Sequence, residues 1–445
     1  MAQRERFSSH TGFILISAGC AIGLGNVYRF PIITGSYAGA LFVLFYLLCL
    51  LLMGIPVMVI EMAVGRSSRA GAAAAFNRLE PPSTYWHLGK YLIILANYML
   101  MMFYTVIASW MVIYFAKYAF GKVSSVTDSQ AIQNIFSQML ENKALLLSVT
   151  CCLIIVCFAI CSLGFQKGVE KTSKYMMVFL LLLIVVLAIH SCTLDGAAKG
   201  LRFYLLPSAQ AVKDRGVGPL FFAALGQAFF SLSIGLGSLE IFGSYMDRKR
   251  RLLGEALTVA GLDTFVAITS GIIIFPACFT YGGGISEDPD SIGASFLFTT
   301  LSRLFNNMSW GRLWGSLFFL FMIFASVSTV IGVFENIVAF WTDRYAVSRK
   351  KVCLLNAPLL CLLSLPCVLY TDFLDFCDIT VSNLLMPLGS IVFILFCTAK
   401  CGWGWKNFIA EANTGKGLLF PPSSRIYLTY ILPPLILTIL ILLLL

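Results

Sequence analysis

The residues of this sequence that could do chemistry sit in apolar surroundings. Two runs stand out, Gly23-Leu24-Gly25-Asn26 followed by Arg29-Phe30-Pro31, and Ser231-Leu232-Ser233-Ile234-Gly235-Leu236-Gly237. Each puts glycines and small polar side chains inside a long apolar stretch. Glycine is a poor helix former, so both runs predict helices that unwind part-way. Freed carbonyls, with the Asn and Ser oxygens, are hard ligands for a cation of low charge. Freed N–H groups at the start of the following half-helix suit an anion. Taken singly, either run also reads as close helix packing through small residues. Arg29, Glu61, Asp263 and Asp378 lie within or at the ends of such stretches. An ionised side chain there costs roughly 2.5–3.5 kcal/mol and usually has a task. Signs of catalysis are missing. His10, His87 and His190 are far apart, and the 14 cysteines include no CxxC pair. Buried free thiols, no zinc cluster, no organic cofactor and no enzyme activity are expected.

The elements that must carry these residues are membrane-spanning helices. Of the chain, 59% is hydrophobic and 12% charged, against about 25% charged in soluble domains. That excludes an ordinary soluble enzyme. A spanning helix needs about 20 mostly apolar residues. Eleven stretches qualify, near 12–33, 39–64, 91–119, 145–163, 174–191, 219–245, 253–281, 312–341, 353–370, 378–398 and 427–445. The first is read as a permanent span, not a cleaved signal peptide. A short re-entrant helix is expected over 291–305, after Gly282-Gly283-Gly284. With the N-terminus inside, 21 of the 31 Lys and Arg residues fall on the cytoplasmic side and eight outside. This bias sets the orientation and puts the C-terminus outside. The net charge of +10 contains no basic run longer than Arg248-Lys249-Arg250-Arg251, so nucleic acid is not an expected partner. The lipid bilayer is.

The two glycine-rich breaks fall at matching places, opening spans 1–5 and spans 6–10. Interrupted segments at corresponding positions of two halves are the mark of inverted-repeat transporters. The expected division is 1–191, 192–398, and 399–445 for a loop and the last span. The fold class is thus an all-α polytopic membrane protein with two inverted five-helix repeats.

The run from Gly19 through Gly23-Leu24-Gly25-Asn26 to Arg29-Phe30-Pro31 closely resembles the first-helix signature of the neurotransmitter:sodium symporters. Gly226-Gln227-Ala228-Phe229-Phe230-Ser231-Leu232-Ser233-Ile234-Gly235 is similar to their sixth-helix signature. Gly54-Ile55-Pro56 through Glu61 to Gly65-Arg66, and Tyr104 with Ser109-Trp110, extend the likeness over nearly the whole chain. Eleven spans and short loops resemble a prokaryotic, leucine-transporter-like member.

The resemblance implies sodium-coupled uptake of an amino acid by alternating access, and it assigns residues. A first sodium ion would meet the Ala21 carbonyl, Asn26, Ser231 and Asp263. A second would meet the carbonyls of Gly19, Ile22 and Ala325 with the hydroxyls of Ser328 and Thr329. The substrate carboxylate would meet N–H groups near Leu24 and Gly25 and the Tyr104 hydroxyl, with Ala21 and Ser231 close by. Phe230 would act as a lid, while Leu100, Ser233, Leu236, Ser238 and Val333 line the side-chain part. That lining favours a neutral, hydrophobic or aromatic amino acid. Arg29 with Asp378 resembles an extracellular gate. Arg4 with Asp343, beside Phe7 and Tyr245, resembles a cytoplasmic one. Glu61 would support the unwound part of helix six.

Asp263 stands where many relatives have asparagine. Tyr46, Gln227 and Ser231 match other members of the chloride site of animal relatives, and the glutamate usual in bacterial members falls on Ala267. Asp263 is therefore expected to supply the fixed negative charge, making transport chloride-independent. Span five departs from the family pattern, because Gly168 is followed ten positions later by Val178, not proline. Gly164 and Gly168 would have to provide any flexibility. A channel lacks its filter repeats here and an intramembrane enzyme its catalytic pair. A membrane sensor that binds the amino acid without moving it stays open, as does the choice between monomer and homodimer.

Overall fold

The computed structural model describes residues 5–37, 39–126, 128–207, 216–281 and 295–444. It is 82% helical, and the one extended pairing among the described residues is an isolated bridge between Arg250 and Lys416. The helices that matter here are α1 (His10–Ala21), α2 (Gly25–Ser36), α3 (Ala40–Ser68), α4 (Trp86–Ala119), α5 (Lys143–Ser162), α6 (Phe165–Cys192), α7 (Val217–Ser231), α8 (Ser238–Tyr245), α9 (Leu252–Tyr281), α10 (Gly311–Tyr345), α11 (Arg349–Leu369), α12 (Thr371–Thr398) and α13 (Leu432–Leu444).

Among the described residues, eight helices are long and apolar enough to cross a membrane by themselves, and α1 with α2, bent by 61°, makes a ninth. The sixth and eleventh expected spans take the form of shorter pieces, α7 with α8, and a π turn Tyr427–Ile431 leading into α13. Of the expected re-entrant helix, residues 291–294 lie outside the described residues. Two short helices, Ser295–Phe298 and Thr300–Asn306, occupy the rest.

Apolar content does not separate the centre from the rim, since α10 and α6 have nearly equal mean hydropathy, 2.5 and 2.6. In α10 72% of the most apolar stretch is buried and in α4 67%, against 28% in α6. α4 and α10 therefore form the middle of the bundle, and α6 presents Val178, Phe179, Leu182 and Ile189 outward, as a lipid-facing helix does.

α6 opens on a π turn, Phe165–Glu170, after Gly164 in a left-handed conformation (φ 104°). Gly168 packs against the end of α5, where a Cβ would lie 2.0 Å from the Ile160 carbonyl oxygen. Val178, in the place where relatives have proline, is half exposed on the outward face.

Candidate functional site

The site lies where α1 gives way to α2 and α7 to α8. At the first break Ile22 turns extended (ψ 95°). Glycine is required beside it by close approach. A Cβ on Gly23 would lie 2.6 Å from the Tyr104 hydroxyl and 3.0 Å from Thr329 Oγ1, and one on Gly25 2.5 Å from the Phe230 ring. At the second break Ser233, Gly235 and Gly237 all have positive φ. This left-handed backbone ends the helical hydrogen-bond ladder.

The freed groups at the second break are held from neighbouring helices. Glu61 Oε1 of α3 accepts the Gly235 N–H at 2.5 Å. The Leu236 carbonyl accepts from Asn97 Nδ2 at 2.8 Å and from Asn336 Nδ2 at 2.9 Å. Buried backbone groups without such partners are costly, so α3, α4 and α10 together hold the opened segment.

Around the first break the oxygens gather into two groups. Thr329 Oγ1 lies 3.5 Å from the carbonyl oxygens of both Gly19 and Ile22 and 3.3 Å from that of Ala325, and Ser328 Oγ is 2.9 Å from Ala325 O. These are the five residues expected for the second sodium ion. In the other group Asp263 is fully buried. Its Oδ1 accepts from Asn26 Nδ2 at 2.7 Å, and its Oδ2 accepts from Ser231 at 2.5 Å and from Tyr46 at 3.3 Å. Gln227 Nε2 donates to the Gly25 carbonyl at 2.9 Å. Asn26 Oδ1 is buried with no hydrogen-bond partner, an oxygen suited to a cation.

Between the breaks is a small cavity walled by Ala21, Gly23, Leu24, Gly25, Leu100, Tyr104, Phe230, Ser233, Leu236, Thr329 and Met386. Eight of these are residues the family resemblance assigned to the substrate. Ser231, Ser238 and Val333 are buried but lie outside this wall. Tyr104 Oη accepts the Leu24 N–H at 3.1 Å, which fixes the hydroxyl beside the unwound backbone. The free space is about 20 Å³, room for little more than a water-sized group. A larger molecule therefore requires part of this wall to move.

On that wall Phe230 has the Arg29 guanidinium 4.5 Å from its ring centre. Such stacking is worth about 0.5–2 kcal/mol, depending on desolvation. Arg29 is not ion-paired with Asp378, whose carboxylate accepts from Ser382 at 2.9 Å. The two expected gate partners are thus separate in this arrangement.

At the opposite end aromatic rings pack together. Phe7 meets Phe13, Phe165 and Tyr245 edge-on, and Phe165 stacks on Tyr245 at 3.9 Å. Tyr245 Oη donates to Glu335 at 2.6 Å, and Glu335 is paired with Arg349. Asp343 accepts the Gly71 N–H at 2.9 Å. Arg4, its expected partner, lies outside the described residues.

Asn97, Asn336, Met386, Glu335 and Arg349 were not singled out from the sequence. Glu335 carried a usable signal, an acid inside an apolar span, the same rule that picked out Glu61. Met386 carried none, being one apolar residue among many. Its position predicts that Met386→Phe, which adds a ring to the cavity wall, lowers uptake of aromatic amino acids about 10-fold or more while sparing small ones. Competition assays with glycine, alanine and phenylalanine would check this.

Two broken helices that meet at the middle of a membrane bundle, with oxygen-rich breaks and aromatic closures on both sides, define a secondary transporter. Comparison with known proteins agrees. A family model described as the sodium:neurotransmitter symporter family matches residues 4–129 and 122–445. The chain belongs to this family and is a sodium-coupled transporter, not an enzyme. It is 30% identical over 430 residues to the uncharacterised sodium-dependent transporter YhdH of Bacillus subtilis, covering 93% of this chain and 92% of that one. It is 32% identical over 411 residues to the uncharacterised sodium-dependent transporter MJ1319 of Methanocaldococcus jannaschii, covering 88% and 81%. To the sodium- and chloride-dependent GABA transporter 2 of Bos taurus it is 27% identical over 393 residues, covering 78% and 64%. Among solved structures, the crystal structure of MhsT in complex with L-phenylalanine matches with a TM-score of 0.86 and 32% identity, covering 99% of each chain. The fold is therefore leucine-transporter-like.

Proposed function

We propose that this chain imports a neutral, hydrophobic or aromatic amino acid together with two sodium ions, without need of chloride. The observation that carries this reading is the double oxygen cluster at the first break. One cluster contains a fixed carboxylate, Asp263, and the other only neutral oxygens. Both suit a monovalent ion, and the carboxylate takes the place a bound chloride would fill.

In this reading the amino acid carboxylate binds against the Leu24 and Gly25 backbone and the Tyr104 hydroxyl. Its side chain occupies the space beside Leu100, Leu236 and Met386. Phe230 and Arg29 close over it, and the cluster of Phe7, Phe165 and Tyr245 then parts to release it inside. The halves 1–191 and 192–398 would move as inverted repeats, with 399–445 as an accessory span. The orientation proposed is a plasma-membrane protein with its N-terminus in the cytoplasm and its C-terminus outside. The apolar wall of the cavity and the phenylalanine bound in MhsT support the substrate class.

The test is accumulation of radiolabelled phenylalanine and leucine in proteoliposomes carrying an inward sodium gradient. Uptake is expected to collapse when choline or potassium replaces sodium and to survive replacement of chloride by gluconate. Uptake that persists fully in choline would overturn the sodium coupling. Sodium-dependent binding without accumulation would identify a sensor instead.

A further inference from the structure

At the basic end of the bundle an open cleft of about 410 Å³ lies between the start of α9 and the loop before α13, sharing His10, Arg250 and Glu255 with the cleft beside Phe7 and Tyr245. Its wall includes His10, Arg250, Arg251, Gly254, Lys416 and Leu418. We propose that this cleft binds the headgroup of an anionic phospholipid, phosphatidylglycerol in its chemistry, in the adjoining leaflet.

Charge is the first argument. In the run Arg248-Lys249-Arg250-Arg251, the first two residues have acids of their own. Arg248 pairs with Glu411 at 2.8 Å and Lys249 with Asp247 at 3.5 Å. Among the described residues Arg250 has only the distant Glu255, at 4.0 Å. Arg250 and Lys416 are neighbours across the isolated bridge, fixed by Arg251 N–H to Lys416 O at 3.1 Å and Lys416 N–H to Lys249 O at 2.9 Å. The backbone thus brings two basic residues to the same wall of the cleft, where an anion can meet both.

The acid on the cleft wall, Glu255, is 4.0 Å from Arg250 Nε but is bonded to His10 at 2.8 Å. Arg251 spends its Nε and Nη1 on the carbonyls of Asn413 and Gly417, which leaves Nη2 for a ligand.

Shape is the second argument. Leu418 and Leu419 beside Lys416 are 57% and 59% exposed. Apolar side chains next to basic ones are the composition of a surface lying at a bilayer interface. On α9, residues Gly254, Thr258, Gly261 and Phe265 follow one another up the same outward face. Added Cβ atoms on Gly254 and Gly261 would meet nothing within 4 Å. This leaves an open helix face running on from the cleft, against which an acyl chain can lie. A free inorganic anion would need the charges but not the apolar face.

The test reads thermal stability of the full chain in a non-ionic detergent, independently of transport. Short-chain phosphatidylglycerol is expected to raise Tm by at least about 2 °C. Phosphatidylcholine of equal chain length, and inorganic phosphate, should not. Arg250→Gln with Lys416→Gln should weaken the response about 30-fold in lipid concentration. Gly254→Met keeps every charge but fills the cleft, and should weaken it as well, so the proposal stays testable if the double variant folds poorly. An equal shift from inorganic phosphate would make the cleft a site for a soluble anion and overturn the lipid assignment. An unchanged response in Gly254→Met would overturn the site itself, leaving only diffuse attraction between charges.

Discussion

Asp263→Asn is expected to lower sodium-driven uptake by about 100-fold in chloride-free buffer. Three donors converge on this fully buried carboxylate, from Asn26, Ser231 and Tyr46. An amide in its place removes the charge and turns one acceptor into a donor. That NH₂ group must then face the Asn26 NH₂ or force the Ser231 and Tyr46 hydroxyls to turn from donors into acceptors. Hydrogen bonds to a charged group contribute about 1.5–3 kcal/mol each, and a buried donor left unpaired costs about 1–3 kcal/mol. A loss near 3 kcal/mol corresponds to about two powers of ten in rate. The proposed role of the fixed charge adds a second expectation, that whatever activity survives in the variant rises when chloride is supplied. Parallel uptake assays in chloride and gluconate would measure both. The wild type should be indifferent to the exchange, and a severalfold fall in its uptake without chloride would refute the assignment.

The second large effect is expected at Glu61. Its Oε1 accepts the N–H of Gly235, a residue in left-handed conformation in the middle of the second break. Glu61→Ala removes that acceptor from a fully buried position. The lost bond and the orphaned N–H together cost about 2–4 kcal/mol, so uptake should fall by at least about 30-fold. Sodium-dependent substrate binding should fall with it, since Ser233 and Leu236 lie on the same unwound segment and line the cavity. Glu61→Gln keeps an acceptor oxygen and should retain more function than Glu61→Ala. Equal losses in the two would mean that the charge, not the hydrogen bond, is what the segment needs. Binding titrations beside uptake separate a lost site from a slowed transport cycle.

The breaks were legible in the sequence because glycine and small polar residues contrast sharply with an apolar surround. The same contrast marked Asp263, Glu61 and Arg29. What joins these residues was less legible. Asp263 meets Asn26 across 237 positions of sequence and Ser231 across 32, and the family likeness, not the spacing, suggested that they meet. Asn97 and Asn336 went unnoticed because an asparagine in a span resembles many that merely bond their own helix. Asn97 in fact does both, donating to Ile93 O and Leu236 O. Arg29 and Asp378 show the limit from the other side. The family likeness suggested a pair, yet in this arrangement Arg29 stacks on Phe230 and Asp378 accepts from Ser382.

The sequence by itself determined the class of the molecule, the approximate place of its long apolar stretches, where two of them break, and which charges lie within them. Each follows from local composition, because water and bilayer sort residues one stretch at a time. The tertiary structure alone decided which face of each helix turns inward. In a bilayer the outside of the bundle is as apolar as its inside, so a helix such as α6 carries little pattern to set its rotation. Met386 at the cavity wall, Glu335 with Arg349 beneath the inner closure, and the pairing of Arg250 with Lys416 all depend on those rotations.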